Sequence, residues 1–257
     1  FILEKHSETE EIRKKICDYL SLHMYNDGGW GYNRRVATDI DSTTQALLVL
    51  QRMFYPFPSF LVDNILSAQT AEGGFPTYKK TNLRPNLWQD PHVDITFIVI
   101  ELLKRIGGYE REIEKANVWL RKQQNEAGMF TCFWWDGDAY SIWAQYKTAY
   151  GSLLTPEKIL QHMQDAKMLP DIAMLLPAAI TFDLAHHHIM SYYNILANTQ
   201  LQDGSWKCSP CLKVPHRYIK NAACKIYRDD TRLLSTAHGL HASLCMLQYL
   251  KKQHNAL

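Results

Sequence analysis

The stretch Ile65-Leu66-Ser67-Ala68-Gln69-Thr70-Ala71-Glu72-Gly73-Gly74-Phe75 decides the architecture, because its skeleton returns along the chain in a fixed register. An apolar residue, three residues, Gln, three residues, Gly, any residue and an aromatic ring recur as Leu120…Gln124…Gly128-x-Phe130 and Leu196…Gln200…Gly204-x-Trp206. A fourth copy, Leu20…Met24…Gly28-x-Trp30, carries Met where the others carry Gln. An internal repeat of this kind constrains a fold more than any single residue, since each unit buries its apolar face only against the next.

The segment ahead of each copy reads as an amphipathic helix. Apolar residues recur at three- and four-residue spacing over Glu11–Met24, Ser59–Gln69, Arg111–Gln124 and Ile189–Gln200, and the Gly of the phrase is the expected stop. A loop of variable length follows, then a second and more apolar helix: Ser42–Met53, Val93–Ile106, Ala139–Tyr150 and Leu234–Leu250. Asp41-Ser42-Thr43 and Ser235-Thr236 are suitable N-caps for two of them.

The wide interval between Gln124 and Gln200 has room for a hidden copy. Ile159…Met163…Lys167-x-Leu169 keeps the register without Gly or aromatic, on a helix expected over Pro156–Lys167, with Asp171–His188 as its apolar partner. Five helix pairs result, with no convincing strand. The more apolar second helices imply an inner ring enclosed by the first, so the expected fold is an all-α toroid of about five helix pairs in one domain, residues 1–257. At each joint the Gln amide is expected to bond orphan carbonyls at the end of the outer helix, and the aromatic to pack over the neighbouring pair.

The totals narrow the function. Among 257 residues 46% are hydrophobic and 21% charged, which describes an ordinary globular protein large enough for a substantial core. A formal net charge of +2, with no Lys/Arg run, gives no phosphate-backbone surface and so no nucleic-acid partner. No stretch of about 18 uninterrupted apolar residues reads as a membrane span. Phe1-Ile2-Leu3-Glu4-Lys5 has neither the pattern of a signal peptide nor an initiating Met, which fits a processed or trimmed chain in the cytoplasm. Six Cys require no disulfide framework and fit a reduced compartment.

One acidic pair follows the first copy of the phrase. Asp39 and Asp41 flank a loop-to-helix junction, where residues two apart share a face only if the chain is still extended. A helix N-terminus favours their carboxylate forms, whereas burial and mutual repulsion favour a retained proton. Capping and acid chemistry both suit these residues, and the sequence alone leaves the sign open.

These residues also carry a resemblance. The repeated Gln-x3-Gly-x-Trp phrase resembles that of squalene–hopene cyclases, oxidosqualene cyclases and related class II terpene cyclases. Asp27 to Leu50, DGGWGYNRRVATDIDSTTQALLVL, is similar to the cyclase segment in which Gly-Gly-Trp-Gly leads to Asp-x-Asp-Asp-Thr-Ala and an apolar helix. The motif here reads Asp39-Ile40-Asp41-Ser42-Thr43-Thr44, with Ser42 at the third Asp position. The chain holds one helical domain, whereas enzymes of that family usually carry two with the pocket between them.

The resemblance implies protonation of a polyprenyl substrate by Asp41, oriented by Asp39, followed by a carbocation cascade that needs neither metal nor redox cofactor. Such a cascade calls for aromatic faces in place of water, since a ring stabilises positive charge without trapping it. Candidate substrate-contacting residues are Trp30, Trp88, His92 and Asp94, the cluster Trp134, Trp135, Tyr140 and Trp143, and Tyr227, Arg228 and His238. The partner implied is a hydrophobic prenyl molecule, with a peripheral membrane contact or partner subunit compatible with the same mouth. Two other classes fit the pattern: a non-catalytic toroid that binds a hydrophobic ligand or partner, and a zinc-dependent prenyltransferase-like enzyme. The Asp, Cys and His ligands expected of the latter are not placed by the sequence; separately, Cys208, Cys211, His216 and Cys224 have zinc-ligand types at an unfamiliar spacing.

Overall fold

The computed structural model describes residues 10–80, 86–126, 128–150, 154–166, 168–220 and 222–255. Lys167 and the Phe1–Lys5 terminus, both used in the sequence reading, lie outside them. Among the described residues the helices are α1 Glu10–Leu22, α2 Ile40–Arg52, α3 Phe60–Leu66, α4 Val93–Ile106, α5 Glu110–Gln123, α6 Ala139–Thr148, α7 Pro156–Asp165, α8 Leu169–Thr181, α9 His186–Asn198 and α10 Leu233–His254. Ten α-helices and few strands among the described residues agree with the all-α class expected from the sequence.

The expectation of no strand is corrected. β1 Pro210–Val214 and β2 Lys225–Arg228 form an antiparallel ribbon with a register shift between Pro210 and Leu212. Both strands are short and carry Pro, Lys or Arg, so neither offers the alternation by which a strand is read.

The four copies of the phrase adopt one turn. Its backbone hydrogen bonds run from Tyr25 N to Gly29 O (2.9 Å) and Gly28 N to Tyr25 O (2.9 Å), then from Thr70 N to Gly74 O (3.0 Å) and Gly73 N to Thr70 O (3.0 Å). They return from Asn125 N to Met129 O (2.9 Å) and Gly128 N to Asn125 O (2.9 Å), then from Leu201 N to Ser205 O (2.8 Å) and Gly204 N to Leu201 O (2.9 Å). The helices therefore end before the phrase Gly, at Leu22, Leu66, Gln123 and Asn198, and the Gly serves a left-handed turn position instead of a helix cap. Gly73 is the most constrained, with φ +112° and the Lys115 carbonyl oxygen 2.2 Å from where a Cβ would stand.

The Gln amides also differ from expectation. Gln69, Gln124 and Gln200 donate from Nε2 to the carbonyl of the phrase Gly itself, at 3.0, 2.7 and 2.8 Å, not to the end of the preceding helix. Gln69 additionally donates to Glu112 O at 2.9 Å, tying its turn to α5. Where the aromatic is Trp, the indole N–H reaches back to the first apolar residue of the phrase: Trp30 to Leu20 O (2.9 Å) and Trp206 to Leu196 O (2.8 Å).

Two boundaries move for local reasons. The helix expected over Asp171–His188 breaks after Thr181, where Asp183 takes φ +56°, so His186, His187 and His188 open α9. The start of α10 is held not by Ser235 or Thr236 but by Asp229, whose carboxylate accepts from Leu233 N at 3.1 Å and Ser235 N at 2.8 Å.

Contacts divide the chain into two compact units. The first contains α1 to α5 and His216–Lys220; the second contains α6 to α10 and both strands. In the first, α2 packs on α4, whose residues Val93 to Leu103 are all buried. In the second, α8 is buried from Ile172 to Ala179 and packs between α6 and α10. Each fully buried Leu, Ile or Phe in these cores contributes about 1.5–3 kcal/mol by leaving water.

Candidate active site

The Asp39–Asp41 pair straddles the start of α2. Asp39 is the N-cap, with extended backbone at φ −134° and ψ 161°, and Asp41 lies in the first turn. The cap is complete. Asp39 Oδ1 accepts from Ser42 N at 2.6 Å, while Oδ2 accepts from the Ser42 hydroxyl at 2.9 Å and from Tyr32 N at 3.1 Å. Capping thus falls to Asp39, two residues before the Asp41-Ser42-Thr43 start expected from the sequence.

The local sequence explains the fit. Gly29 has φ +119°, and a Cβ there would stand 2.6 Å from Thr43 Oγ1. That close approach lets Trp30 N donate to Thr43 Oγ1 at 3.0 Å and Asp39 N donate to Trp30 O at 3.0 Å. Ile40 N donates to Thr77 O at 2.8 Å, which fixes the segment carrying Tyr78 beside the pair.

The two carboxyls have different electrostatics. Burial pushes Asp39 up from the usual carboxylate range, against the pull of the Ser42, Tyr32 and Asp41 backbone N–H groups and the Ser42 hydroxyl. Asp41 is pushed up to about 7, first by burial, then by the charges of Asp39 and Asp94, with only a hydrogen bond from Gln45 opposing. A carboxyl with this value is half protonated at neutral pH, where an ordinary aspartate is fully ionised. For Asp41, burial and like charge thus outweigh the helix N-terminus.

Other residues of the first unit surround this pair. Asp94 is 1% exposed, in the first turn of α4, and His92 is the buried residue at the α4 N-cap, its ring held neutral by burial with a pKa lowered to about 3. Trp88 stacks with Tyr78 at 6.1 Å between ring centroids, and the Arg217 guanidinium lies 5.2 Å over its ring. Trp30 is buried, with its indole committed to Leu20. A cavity of about 310 Å³ beside the pair is lined by Asp27, Thr38, Asp39, Asn64 and Lys79, and Lys79 Nζ donates to Asn64 Oδ1 at 2.8 Å. Ile40 and Ile65 complete a lining of mixed polarity, and the cavity meets Asp39 and not Asp41.

The second unit gathers most of the expected aromatics. Trp135 stacks on Tyr140 at 4.4 Å, Tyr140 tilts against Trp143 at 5.6 Å, and His238 stands edge-on to Trp135 (5.9 Å) and Trp143 (5.4 Å). Burial lowers the His238 pKa to about 4, so its ring is neutral, against the opposing pull of Asp229. Trp134 stands edge-on to Phe133 at 5.1 Å. Tyr227 and Arg228 are exposed on β2, Tyr227 under the Lys225 ammonium at 4.6 Å and Arg228 donating to Cys208 Sγ at 3.6 Å.

Three residues escaped the sequence reading as parts of these clusters. Asp171 is raised to about 6 by burial and by the charges of Asp136 and Asp138, Arg217 covers Trp88, and Tyr78 is raised by burial and by the charges of Asp39 and Asp41. Only Asp171, at the head of an apolar helix, left a sequence signal. Among the described residues no group of three or more His, Cys, Asp or Glu is placed to hold a metal ion. No helix among them is long and apolar enough to cross a membrane.

No protein-family model matches the chain, and no curated protein matches it. Solved structures do. A protein from Actinoplanes is similar over 94% of this chain and 85% of its own, with TM-score 0.76 and 18% identity. The type II terpene cyclase MstE from Scytonema is similar over 96% of this chain and 86% of its own, with TM-score 0.75 and 16% identity. An ent-copalyl diphosphate synthase from Streptomyces platensis is similar over 89% of this chain and 45% of its own, with TM-score 0.60 and 12% identity. The fold is that of class II terpene cyclases. Identities this low speak to the fold alone.

Proposed function

We propose that the chain, acting as one catalytic domain, carries out proton-initiated cyclisation of a polyprenyl substrate with Asp41 as the general acid. The observation that carries this reading is the division of labour at the head of α2: Asp39 takes the capping hydrogen bonds, and Asp41, two residues on, is left with a carboxyl raised to about 7. A general acid works best with a pKa near the operating pH. In the step, the Asp41 O–H bond breaks as a C–H bond forms at the terminal alkene. The alkene π pair supplies that bond, the adjacent carbon becomes cationic, and ring closure moves the charge along the chain until a proton is lost or water adds.

The fold likeness supports the same reaction class. Variants of MstE have been solved with geranylgeranyl dihydroxybenzoate, named as the substrate, and with merosterolic acid A, named as the product. A prenyl chain on an aromatic head group is accordingly the first substrate class to try. Incubation with geranylgeranylated dihydroxybenzoate, farnesyl diphosphate and geranylgeranyl diphosphate, with products read by mass spectrometry and NMR, tests the proposal. Cyclic isomers or hydrates absent from the Asp41→Asn control support it. Tight binding without turnover would favour the non-catalytic hydrophobic-ligand reading.

A further inference from the structure

The motif position held by a third Asp in the resembled cyclases is Ser42 here, and the hydrogen bonds of the repeat indicate what stands in for it. In the first repeat the cap residue Asp39 donates its N–H to Trp30 O at 3.0 Å, and Thr43 Oγ1 accepts from Trp30 N at 3.0 Å. In the second, His92 donates its N–H to Phe75 O at 2.9 Å, and Thr96 Oγ1 accepts from Phe75 N at 2.9 Å. The copies correspond residue for residue. Asp94 on α4 therefore occupies the register of Asp41 on α2, in helices that pack on each other.

We propose that Asp94 is the third carboxyl of the acid site, a positioning residue that acts with Asp39 to keep the proton on Asp41. The proposal rests on the reading of Asp41 as the acid. Its physical basis is that the half-buried Asp41 feels the charges of two buried carboxyls, Asp39 and Asp94, and three such groups do not all ionise readily, because each added charge is repelled by the others. Of the two carboxyls at the head of α2, Asp41 has the fewer donors and so keeps the proton more readily. Asp39 has donors from Ser42 and Tyr32, whereas Asp41 has the Gln45 side chain.

The groups that face Asp41 are Asp39 from the preceding loop, Gln45 from its own helix, Asp94 from α4 and Tyr78 from the segment bonded to Ile40, with Arg217 acting on Tyr78. The charge of Asp94 is among the causes that raise Asp41, after burial and Asp39. Asp94 thus supplies from the next repeat the like charge that residue 42 lacks, and Ser42 is free to donate to Asp39.

The test is a pH titration of the protonated-carboxyl infrared band that disappears in Asp41→Asn, read in the wild-type chain and in Asp94→Asn. The expected result is a midpoint at least about one pH unit lower in Asp94→Asn, with turnover at pH 7 falling relative to pH 5 by about tenfold. A midpoint within a few tenths of the wild-type value overturns the role of Asp94. If Asp94→Asn does not fold, Asp41→Asn reads the same coupling from the other side, because the interaction is reciprocal: the Asp94 carboxyl then titrates lower than in the wild type, and an unmoved value overturns the proposal. Full turnover by Asp41→Asn would instead refute the cyclase acid while leaving the titration to decide on Asp94.

Discussion

Ser42 closes a ring on Asp39, its backbone N–H 2.6 Å from Oδ1 and its hydroxyl 2.9 Å from Oδ2. A residue that departs from the cyclase motif is thereby the one that binds the first Asp of the motif and leaves the second outside the cap. Capping by Asp39 and the proton chemistry proposed for Asp41 fall on different residues, which makes them separable by mutation.

Removing the cap costs stability. Asp39→Ala is expected to destabilise the chain by about 1–2 kcal/mol and Ser42→Ala by about 1 kcal/mol, the usual ranges for a lost N-cap and a lost side-chain hydrogen bond. Chemical denaturation checks both. Ser42→Gly, which keeps the backbone donor and loses the hydroxyl, should differ from Ser42→Ala only by the helix penalty of Gly.

Asp41 acts on stability in the opposite sense. Its folded pKa of about 7 lies above its ordinary value of 3.8, so between those values the folded state binds the extra proton and stability falls as pH rises. The wild-type chain should lose about 2–4 kcal/mol between pH 4 and pH 8 from this group. Asp41→Asn should flatten that slope and be the more stable protein at pH 8. Melting temperature as a function of pH for the two chains reads the difference.

His92 and His238 give the opposite slope at lower pH. Burial lowers their folded values to about 3 and about 4, below the ordinary 6.5, so the unfolded chain binds more protons and stability is lost as pH falls through that window. His238→Phe keeps a ring between Trp135 and Trp143 and removes the titration. It should reduce the loss of stability between pH 6.5 and pH 4, measured by denaturation at fixed pH.

The repeated turn predicts unequal costs for one chemical change. At Gly73 a Cβ would stand 2.2 Å from the Lys115 carbonyl oxygen with φ at +112°, whereas at Gly204 nothing lies within 4 Å and φ is +81°. Gly73→Ala should cost more than about 3 kcal/mol through clash and strain together, and Gly204→Ala about 1–2 kcal/mol through backbone strain alone. Thermal melts of the two variants compare them directly.

Much of the helical organisation was legible because the phrase Gln-x3-Gly-x-aromatic encodes a turn whose bonds are local. Gln69, Gln124 and Gln200 each reach a glycine four residues away. Ile159 and Met163, two positions of the degenerate copy, are buried on α7, while its Lys167 lies outside the described residues. What was lost depended on distant neighbours. The ribbon of Pro210–Val214 with Lys225–Arg228 is specified by pairing across a long loop, not by its own alternation. Of the expected site residues, Trp135, Tyr140, Trp143 and His238 come together. Arg217 over Trp88 was invisible, because the contact joins residues far apart in sequence. The upward shift of the Asp41 pKa was likewise beyond reading, because it comes from burial and from Asp39 and Asp94 acting together.

The central claim is that Asp41 gives up the proton that starts cyclisation. Single-turnover conversion of geranylgeranylated dihydroxybenzoate in the Asp41→Asn chain, compared with wild type at pH 6 and with ligand binding and melting temperature as controls, tests it most directly. The account predicts a folded variant that still binds the substrate and forms cyclic product at least about 10³-fold more slowly, since the side chain keeps its size and loses its acid. Cyclisation by Asp41→Asn within tenfold of the wild-type rate would contradict it.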